Sequence, residues 1–181
     1  MDAKRLAGVE LVDAGGATHR LGDYWAERPV VVVFLRHFGC LLCREHASQL
    51  SDAYDEVTAR GADVIAIGTG DRRYAGDFVE QERIRFPVLV DDDAQAAKAA
   101  SIRRKDMFTL IFGPGSVKGM WRAHRAGHRV HKAGKRVNQL GATFVLGPGD
   151  EVLYQYEDHD SGDHAPLPEV LAALSATTSR A

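Results

Sequence analysis

The sequence has little cysteine and no long apolar run. Two cysteines in 181 residues are too few for a scaffold held by disulfides. The longest apolar run, Val30–Leu35, is far shorter than the roughly 20 residues of a membrane helix. The first residues, MDAKRLAGVELVD, lack the apolar core of a signal peptide. We therefore expect a cytoplasmic protein that does not enter a membrane, with cysteines that are reactive or metal-bound rather than structural.

The chain also lacks a strong net charge, which is −2, so its overall charge indicates no nucleic-acid partner. The charge is nevertheless uneven, because residues 101–140 hold ten Lys and Arg and one acid. A length of 181 residues fits one domain with a full core. We expect a single domain over residues 1–181, with a basic, Gly-interrupted insertion at about 103–139.

Short β-rich runs alternate with stretches of helical periodicity. Strands are predicted at 8–12, 17–21, Val30–Leu35, 64–67, 86–90, 142–146 and 151–156, and helices at 41–60, 72–83, 92–100 and 168–175. Alternating strands and helices followed by a hairpin and a closing helix predict an α/β protein. The expected architecture is a thioredoxin-like three-layer α/β/α fold with a central mixed sheet.

The sequence Cys40-Leu41-Leu42-Cys43 lies between the first buried strand and the first long helix. Unpaired N–H groups and the dipole at a helix start favour an anion, so Cys40 is the expected nucleophilic thiolate. Cys43, one turn later, could form a disulfide with an oxidised Cys40. Arg36 and Arg44 flank the motif and could add positive potential.

Two other interpretations of the cysteine pair stay open. A CxxC sequence can be half of a zinc site, although a closed site needs two more Cys or His ligands. Two inert, buried cysteines are the other alternative. The position of the pair between a hydrophobic strand and a helix favours a thioredoxin-like redox site.

Several segments together resemble one known family. Residues 36–45, RHFGCLLCRE, resemble the R-x-x-G-C-x-x-C-R segment of the peroxiredoxin-like proteins in the alkyl hydroperoxide reductase/thiol-specific antioxidant (AhpC/TSA) superfamily. The similar branch is the CxxC branch, which includes peroxiredoxin-like 2 and prostamide/prostaglandin F synthase. Residues 86–91 and 97–99 resemble its F-P-x-L-x-D…A-K-A stretch. Residues 141–145 and 162–163 resemble segments around its closing hairpin and last helix.

The resemblance implies a thioredoxin fold and a thiol-dependent, antioxidant-type oxidoreductase. Cys40 matches the peroxidatic position and Cys43 a nearby resolving position. The implied partners are a small oxidised substrate, such as a peroxide, and an external thiol or thioredoxin-type reductant, with no bound cofactor or metal. Relatives of this kind often dimerise, so a homodimer is one expected assembly.

The chain departs from the pattern of typical peroxiredoxins at three positions and from that of thioredoxins at one. In the P-x-x-x-T-x-x-C motif of peroxiredoxins, His37 stands where the Thr would be, and the chain has no Pro at the start of the motif. Gly141 stands where a second active-site Arg usually precedes the A-T-F strand, and Ala142 stands where thioredoxins have a cis-proline. A disulfide reductase or isomerase, and a non-catalytic binding module, are therefore kept as alternatives to a peroxidase.

The remaining candidates are histidines and acids. His37 is a possible base or a packed side chain. The spacing of His124, His128 and His131 would align them on one helical face, as metal ligands or as part of a solvated basic surface. Residues 103–136 could bind an anionic substrate or form a surface excursion. Residues 158–160 and 163–164, DHD and DH, are possible metal ligands or loop and capping residues, and 91–93 are expected to end a strand and cap a helix.

Overall fold

A seven-stranded mixed sheet forms the centre of the protein. The computed structural model describes residues 1–105, 114–125, 127 and 138–178. The strands are β1 (Glu10–Asp13), β2 (Thr18–Arg20), β3 (Val30–Leu35), β4 (Asp63–Gly68), β5 (Val88–Val90), β6 (Ala142–Gly147) and β7 (Glu151–Glu157). Their order across the sheet is β2-β1-β5-β4-β3-β6-β7. The three adjacent strands β3, β4 and β5 are parallel, whereas the outer pairs are antiparallel.

The helices cover both faces of this sheet. They are α1 (Ala3–Ala7), α2 (Leu41–Asp52), α3 (Tyr54–Thr58), α4 (Arg72–Glu82), α5 (Gln95–Ala99), α6 (Pro114–Arg125) and α7 (Leu167–Thr178). Side chains alternate along a strand, so Val31, Val33 and Leu35 of β3 pack with α2, α4 and α7. The intervening residues of β3 pack on the other face, against α1, α5 and a 3-10 helix at Leu21–Trp25. The predicted three-layer α/β/α fold with a mixed sheet is confirmed.

Two local predictions differ from the structure. The helix predicted over 41–60 is two helices, because the chain leaves helical geometry at Ala53 (φ −87°, ψ 4°). The sequence pattern did not predict α1, which has only five residues. Hydrophobic periodicity becomes recognisable over 11–18 residues, so it detects neither a one-turn helix nor a one-residue break.

The basic segment is seen in part. Its two ends meet in an antiparallel bridge between Arg104 and Gln139. Its helix α6 contacts α2, where the Arg122 guanidinium donates to both carboxylate oxygens of the buried Glu45, at 2.7 and 2.9 Å. Residues 106–113, 126 and 128–137 lie outside the described residues, so the proposed insertion stays a prediction. Within the described parts, no helix combines the length and the apolarity needed to cross a membrane.

Candidate active site

The two cysteines lie between the end of β3 and the first turn of α2. Cys40 is the N-cap residue of α2, with an extended backbone (φ −74°, ψ 119°), and Cys43 follows in the first turn. Both are free thiols; Cys40 is 8% exposed and Cys43 is 1% exposed. The strand-to-helix turn therefore brings the predicted pair together, with Cys40 nearer the surface.

The pKa values of the two thiols are shifted in opposite directions. A hydrogen bond from Cys43, and then the positive charge of Arg36, hold the pKa of the Cys40 thiol well below its ordinary value despite burial. The same hydrogen bond and burial raise the pKa of Cys43 well above its ordinary value. Since the thiolate is the reactive form, the directions of the two shifts make Cys40 the more readily ionised thiol of the pair.

Arg36 is the cation next to the thiols. It is 5% exposed, and its Nη1 lies 3.9 Å from the Sγ of Cys40. The same nitrogen donates to the hydroxyl of Ser161, in the loop that precedes α7. The hydroxyl of Thr69 donates to the backbone oxygen of Arg36 at 2.7 Å. Ser161 and Thr69 thus hold Arg36 beside the sulfur, and neither was singled out in the sequence.

His37 is also near Cys40, and it is 7% exposed. Burial lowers its pKa below the ordinary histidine value, and the negative charge of Cys40 opposes that shift. Among the described residues, its buried Nδ1 has no hydrogen-bond partner. His37 is therefore neutral near pH 7 and available as a proton acceptor or donor at the outer thiol.

Arg44, the other flanking arginine, makes its contacts away from the thiols. Its Nε donates to Glu82 at 2.6 Å, its Nη2 to Gln81 at 2.8 Å, and its Nη1 to the backbone oxygen of Phe38 at 3.2 Å. These bonds join α2 to α4 and fix the turn before Cys40. A small cleft beside Gly39 is lined in part by Arg44 and has a volume of about 250 Å³.

The loop rich in acids and histidines divides into two pairs. His164 Nδ1 lies 3.0 Å from a carboxylate oxygen of the buried Asp158. His159 Nδ1 lies 2.9 Å from Asp163 at the surface. His46 of α2, which the sequence did not single out, stacks on His164 with ring centroids 4.3 Å apart.

No group of three or more His, Cys, Asp or Glu in the described part of the chain has the arrangement of a metal site. Of the three histidines with helical spacing, His124 lies on α6 and is exposed, while His128 and His131 lie outside the described residues. Asp91 caps the start of α5, as predicted, by accepting from the backbone N–H groups of residues 95–97 at 2.7–3.3 Å.

Comparison with known proteins places the chain in one family. The AhpC/TSA family matches residues 3–155. A plant relative, "Thioredoxin-like protein AAED1, chloroplastic" of Arabidopsis thaliana, is 31% identical over 96% of this chain and 73% of its own length. Peroxiredoxin-like 2C of Mus musculus is 29% identical over 93% of this chain and 78% of its own length.

A solved structure has the same fold. The peroxidoxin BcpB of Mycobacterium tuberculosis superposes with a TM-score of 0.69 at 23% sequence identity. The match covers 93% of this chain and 92% of that chain.

Proposed function

Because the chain belongs to the AhpC/TSA family, we propose that it is a thiol-dependent peroxidase with Cys40 as nucleophile and Cys43 as resolving thiol. The family is that of the peroxiredoxin-like thiol oxidoreductases, and the peroxide chemistry is the step that we add. The observation that carries the proposal is the geometry of the thiol pair: Cys40 caps the start of α2, and Nη1 of Arg36 lies 3.9 Å from its sulfur. In this setting the pKa of Cys40 is lowered and that of Cys43 is raised.

In the first step the Cys40 thiolate attacks the outer oxygen of a hydroperoxide. The O–O bond breaks, Cys40 becomes a sulfenic acid, and the alkoxide takes a proton to leave as an alcohol. Arg36, at 3.9 Å from the sulfur, stabilises the thiolate and the charge that moves to the leaving oxygen. His37, which is buried and within electrostatic reach of Cys40, is the proposed proton carrier: its neutral imidazole takes up a proton, and the imidazolium gives that proton to the leaving alkoxide.

In the second step the Cys43 sulfur attacks the sulfenic sulfur, the disulfide forms, and water leaves. An external thiol or thioredoxin-type reductant then reduces the Cys40–Cys43 disulfide. The thiols need no cofactor or metal for this cycle. Arg44 supports it indirectly by holding the turn before Cys40 through the backbone oxygen of Phe38. The cycle suits a reducing cytoplasm, which stays our expected location, as a homodimer stays an expected assembly.

The test is the reaction of the reduced protein with hydrogen peroxide and with an organic hydroperoxide. We expect the parent to consume one equivalent and to form a Cys40–Cys43 disulfide that mass spectrometry detects. Cys43→Ser should stop at a trappable sulfenic acid, while Cys40→Ser should not react. A Cys40→Ser protein that consumes peroxide as fast as the parent contradicts the proposal.

An insulin reduction assay distinguishes the proposed peroxidase from the other enzyme that fits the site, a disulfide reductase or isomerase. A disulfide reductase or isomerase would reduce insulin at a rate that depends on Cys40, without turning over peroxide. A non-catalytic binding module would show neither activity and an ordinary alkylation rate at Cys40. The lowered pKa of Cys40 argues against this last alternative, since activation of a thiol serves no binding surface.

A further inference from the structure

The proposed cycle leaves one buried group of polar side chains without a role. Asp158 is 3% exposed and His46 is 7% exposed, and the side chain of His164 is 13% exposed. Asp158 and His164 come from the loop after β7 and His46 comes from α2, and all three line an interior gap together with Cys43. Buried polar groups are costly unless they are satisfied, so their position calls for an explanation.

The geometry within the group orients one imidazole. The carboxylate of Asp158 lies 3.0 Å from Nδ1 of His164, and the ring of His46 stacks on His164 with an interplanar angle of 15°. The carboxylate fixes the hydrogen-bonded edge of His164, and the stacked ring fixes its plane. In the parts of the chain that the structure describes, the buried Nε2 atom of His164 has no hydrogen-bond partner.

The group lies against Cys43. One interior gap, with no room for a water molecule, is lined by Cys43, His46, Asp158 and His164, and strand residues of β3 and β6 complete its wall. His46 is three residues after Cys43 on α2, and residues at that spacing are neighbours on a helix surface. His164 therefore contacts a side chain that lies next to the resolving thiol.

The backbone makes room for this arrangement at Gly141. A Cβ atom there would overlap Oδ2 of Asp158 and lie 3.0 Å from the backbone oxygen of Phe34. The backbone N–H of Asp158 donates to the oxygen of Gly141 at 3.1 Å. Only a residue without a side chain lets the carboxylate approach the strand this closely, so the fold is adapted to hold Asp158 in place.

The charges of these residues suit a base, His164, with a supporting carboxylate, Asp158. Burial alone would lower the pKa of His164, but the hydrogen bond to Asp158 and the negative charges of Asp158 and Cys40 raise it above the ordinary value. Burial and the charge of His164 hold the pKa of His46 well below its ordinary value. His164 is thus the proton carrier of the group, and His46 is a neutral stacking partner.

We propose that Cys43, His164 and Asp158 form a nucleophile–base–carboxylate unit that moves the proton of the resolving thiol. The inference rests on the proposed function and deepens its second step. As Cys43 attacks the Cys40 sulfenic acid, its thiol proton passes through His164 to the departing hydroxyl oxygen. The S–S bond forms, the S–O bond breaks, and water leaves with no net change in protons.

The same unit works in reverse during reduction of the disulfide. A reductant thiolate attacks Cys40, and the electron pair of the S–S bond leaves on Cys43. The proton that the reductant thiol released reaches His164 through the solvent, and His164 passes it to the Cys43 sulfur. A second reductant thiolate then attacks the mixed disulfide and releases Cys40 as a thiolate. Asp158 and His46 are positioning residues in this scheme, because they act through His164. The logic is that of an activated nucleophile whose base is oriented by a third group.

The experiment separates the two oxidation steps in the full-length protein. After mixing with hydrogen peroxide, rapid quenching and mass spectrometry follow the sulfenic acid and then the disulfide. We expect His164→Gln to slow disulfide formation about 100-fold, the range of general acid–base catalysis, while sulfenic acid formation stays within about twofold of the parent. Asp158→Asn should slow the same step by a smaller factor, and it serves in place of His164→Gln if that variant does not fold.

The matched control is His159→Gln, which alters a His–Asp pair in the same loop whose histidine side chain is 76% exposed. It should leave both steps unchanged. A structural role of His164 is separated by adding imidazole to His164→Gly: a relay predicts recovery of disulfide formation, and a purely structural role predicts none. Disulfide formation at the parental rate in His164→Gln, or slowing without imidazole recovery, would overturn the relay.

Failure of the proposed function gives a different result. A parent that forms no sulfenic acid contradicts the peroxidase proposal but not the relay, which is then tested with dithiothreitol on the preformed disulfide. Slower reduction in His164→Gln than in His159→Gln would support the relay, and equal rates would refute it.

Discussion

Replacing Gly141 by alanine should break the hydrogen bond between Asp158 and His164 although neither of these residues is substituted. No positive φ constrains Gly141, so the backbone tolerates alanine and only the Cβ matters. That atom would overlap a carboxylate oxygen of Asp158 and press on the backbone oxygen of Phe34. Asp158 cannot retreat freely, because its side chain is only 4% exposed. We expect it to move and to lose its bond to His164.

Two contributions give the size of the effect. Overpacking a well-packed interior by one carbon costs about 1–3 kcal/mol, and losing a charge-assisted hydrogen bond costs about 1.5–3 kcal/mol. If the Asp158 carboxylate moves away, the overpacking cost falls but the hydrogen bond to His164 is lost, so the two costs do not add in full. We expect Gly141→Ala to lower the free energy of unfolding by about 3 kcal/mol. For a chain of this size that loss corresponds to about 6–12 °C in Tm.

Chemical denaturation measures this change, with Gly147→Ala as the matched control. Gly147 is the last residue of β6, the strand that begins directly after Gly141, and a Cβ there would meet only the flexible Leu153 side chain at 3.2 Å. Asp158→Ala completes a double-mutant cycle: it should be costly in the parent and far less costly beside Gly141→Ala, because the pair is then already broken. Additive costs within about 0.5 kcal/mol, or a Gly141→Ala protein as stable as the control, would refute the reasoning.

Two further predictions concern the charged side chains around the thiols. In a Cys43→Ser background, Arg36→Met should slow alkylation of Cys40 at pH 7 about tenfold or more, because the cation 3.9 Å from the sulfur is lost. Arg44→Met should destabilise the fold yet leave that rate within about twofold, and equal slowing by both would contradict the distinction. Separately, His46 has a lowered pKa in the folded protein, so below about pH 6.5 the unfolded chain binds a proton that the native state does not. The free energy of unfolding should therefore fall as pH decreases, by up to about 1.4 kcal/mol per pH unit. His46→Gln should flatten the slope, and an unchanged slope in urea titrations would refute the assignment.

The central strand and the cysteine turn were predictable because their signals are local. The run Val30–Leu35 has the predicted bounds, since a strand buried on both faces is apolar throughout. The position of Cys40 at the start of α2 follows from the next residues having helical periodicity. Both features need only about twenty consecutive residues, so no tertiary information was required.

The surroundings of the thiols were not predictable, because they come from distant segments. Ser161 reaches Arg36 across 125 positions in the sequence, and His164 stacks on His46 across more than a hundred. Sequence spacing predicted only a loop rich in potential ligands. In the structure, one His–Asp pair of this loop is buried and the other lies at the surface. The one signal that pointed to the interior was Gly141, a residue without a side chain where the family resemblance leads one to expect an arginine.

That exchange at position 141 changes what the site can do. An arginine there would add a permanent positive charge near Arg36. Glycine instead leaves space for the carboxylate of Asp158, which is hydrogen-bonded to the titratable ring of His164. A fixed cation stabilises a thiolate but cannot carry a proton, since an arginine keeps its proton at every physiological pH. In the proposed cycle Arg36 is the fixed cation beside Cys40, and the His164–Asp158 pair serves the thiol that releases and regains a proton. Glycine at position 141 and the buried His–Asp pair near Cys43 therefore belong to one proposed relay, which Gly141→Ala and His164→Gln test from opposite ends.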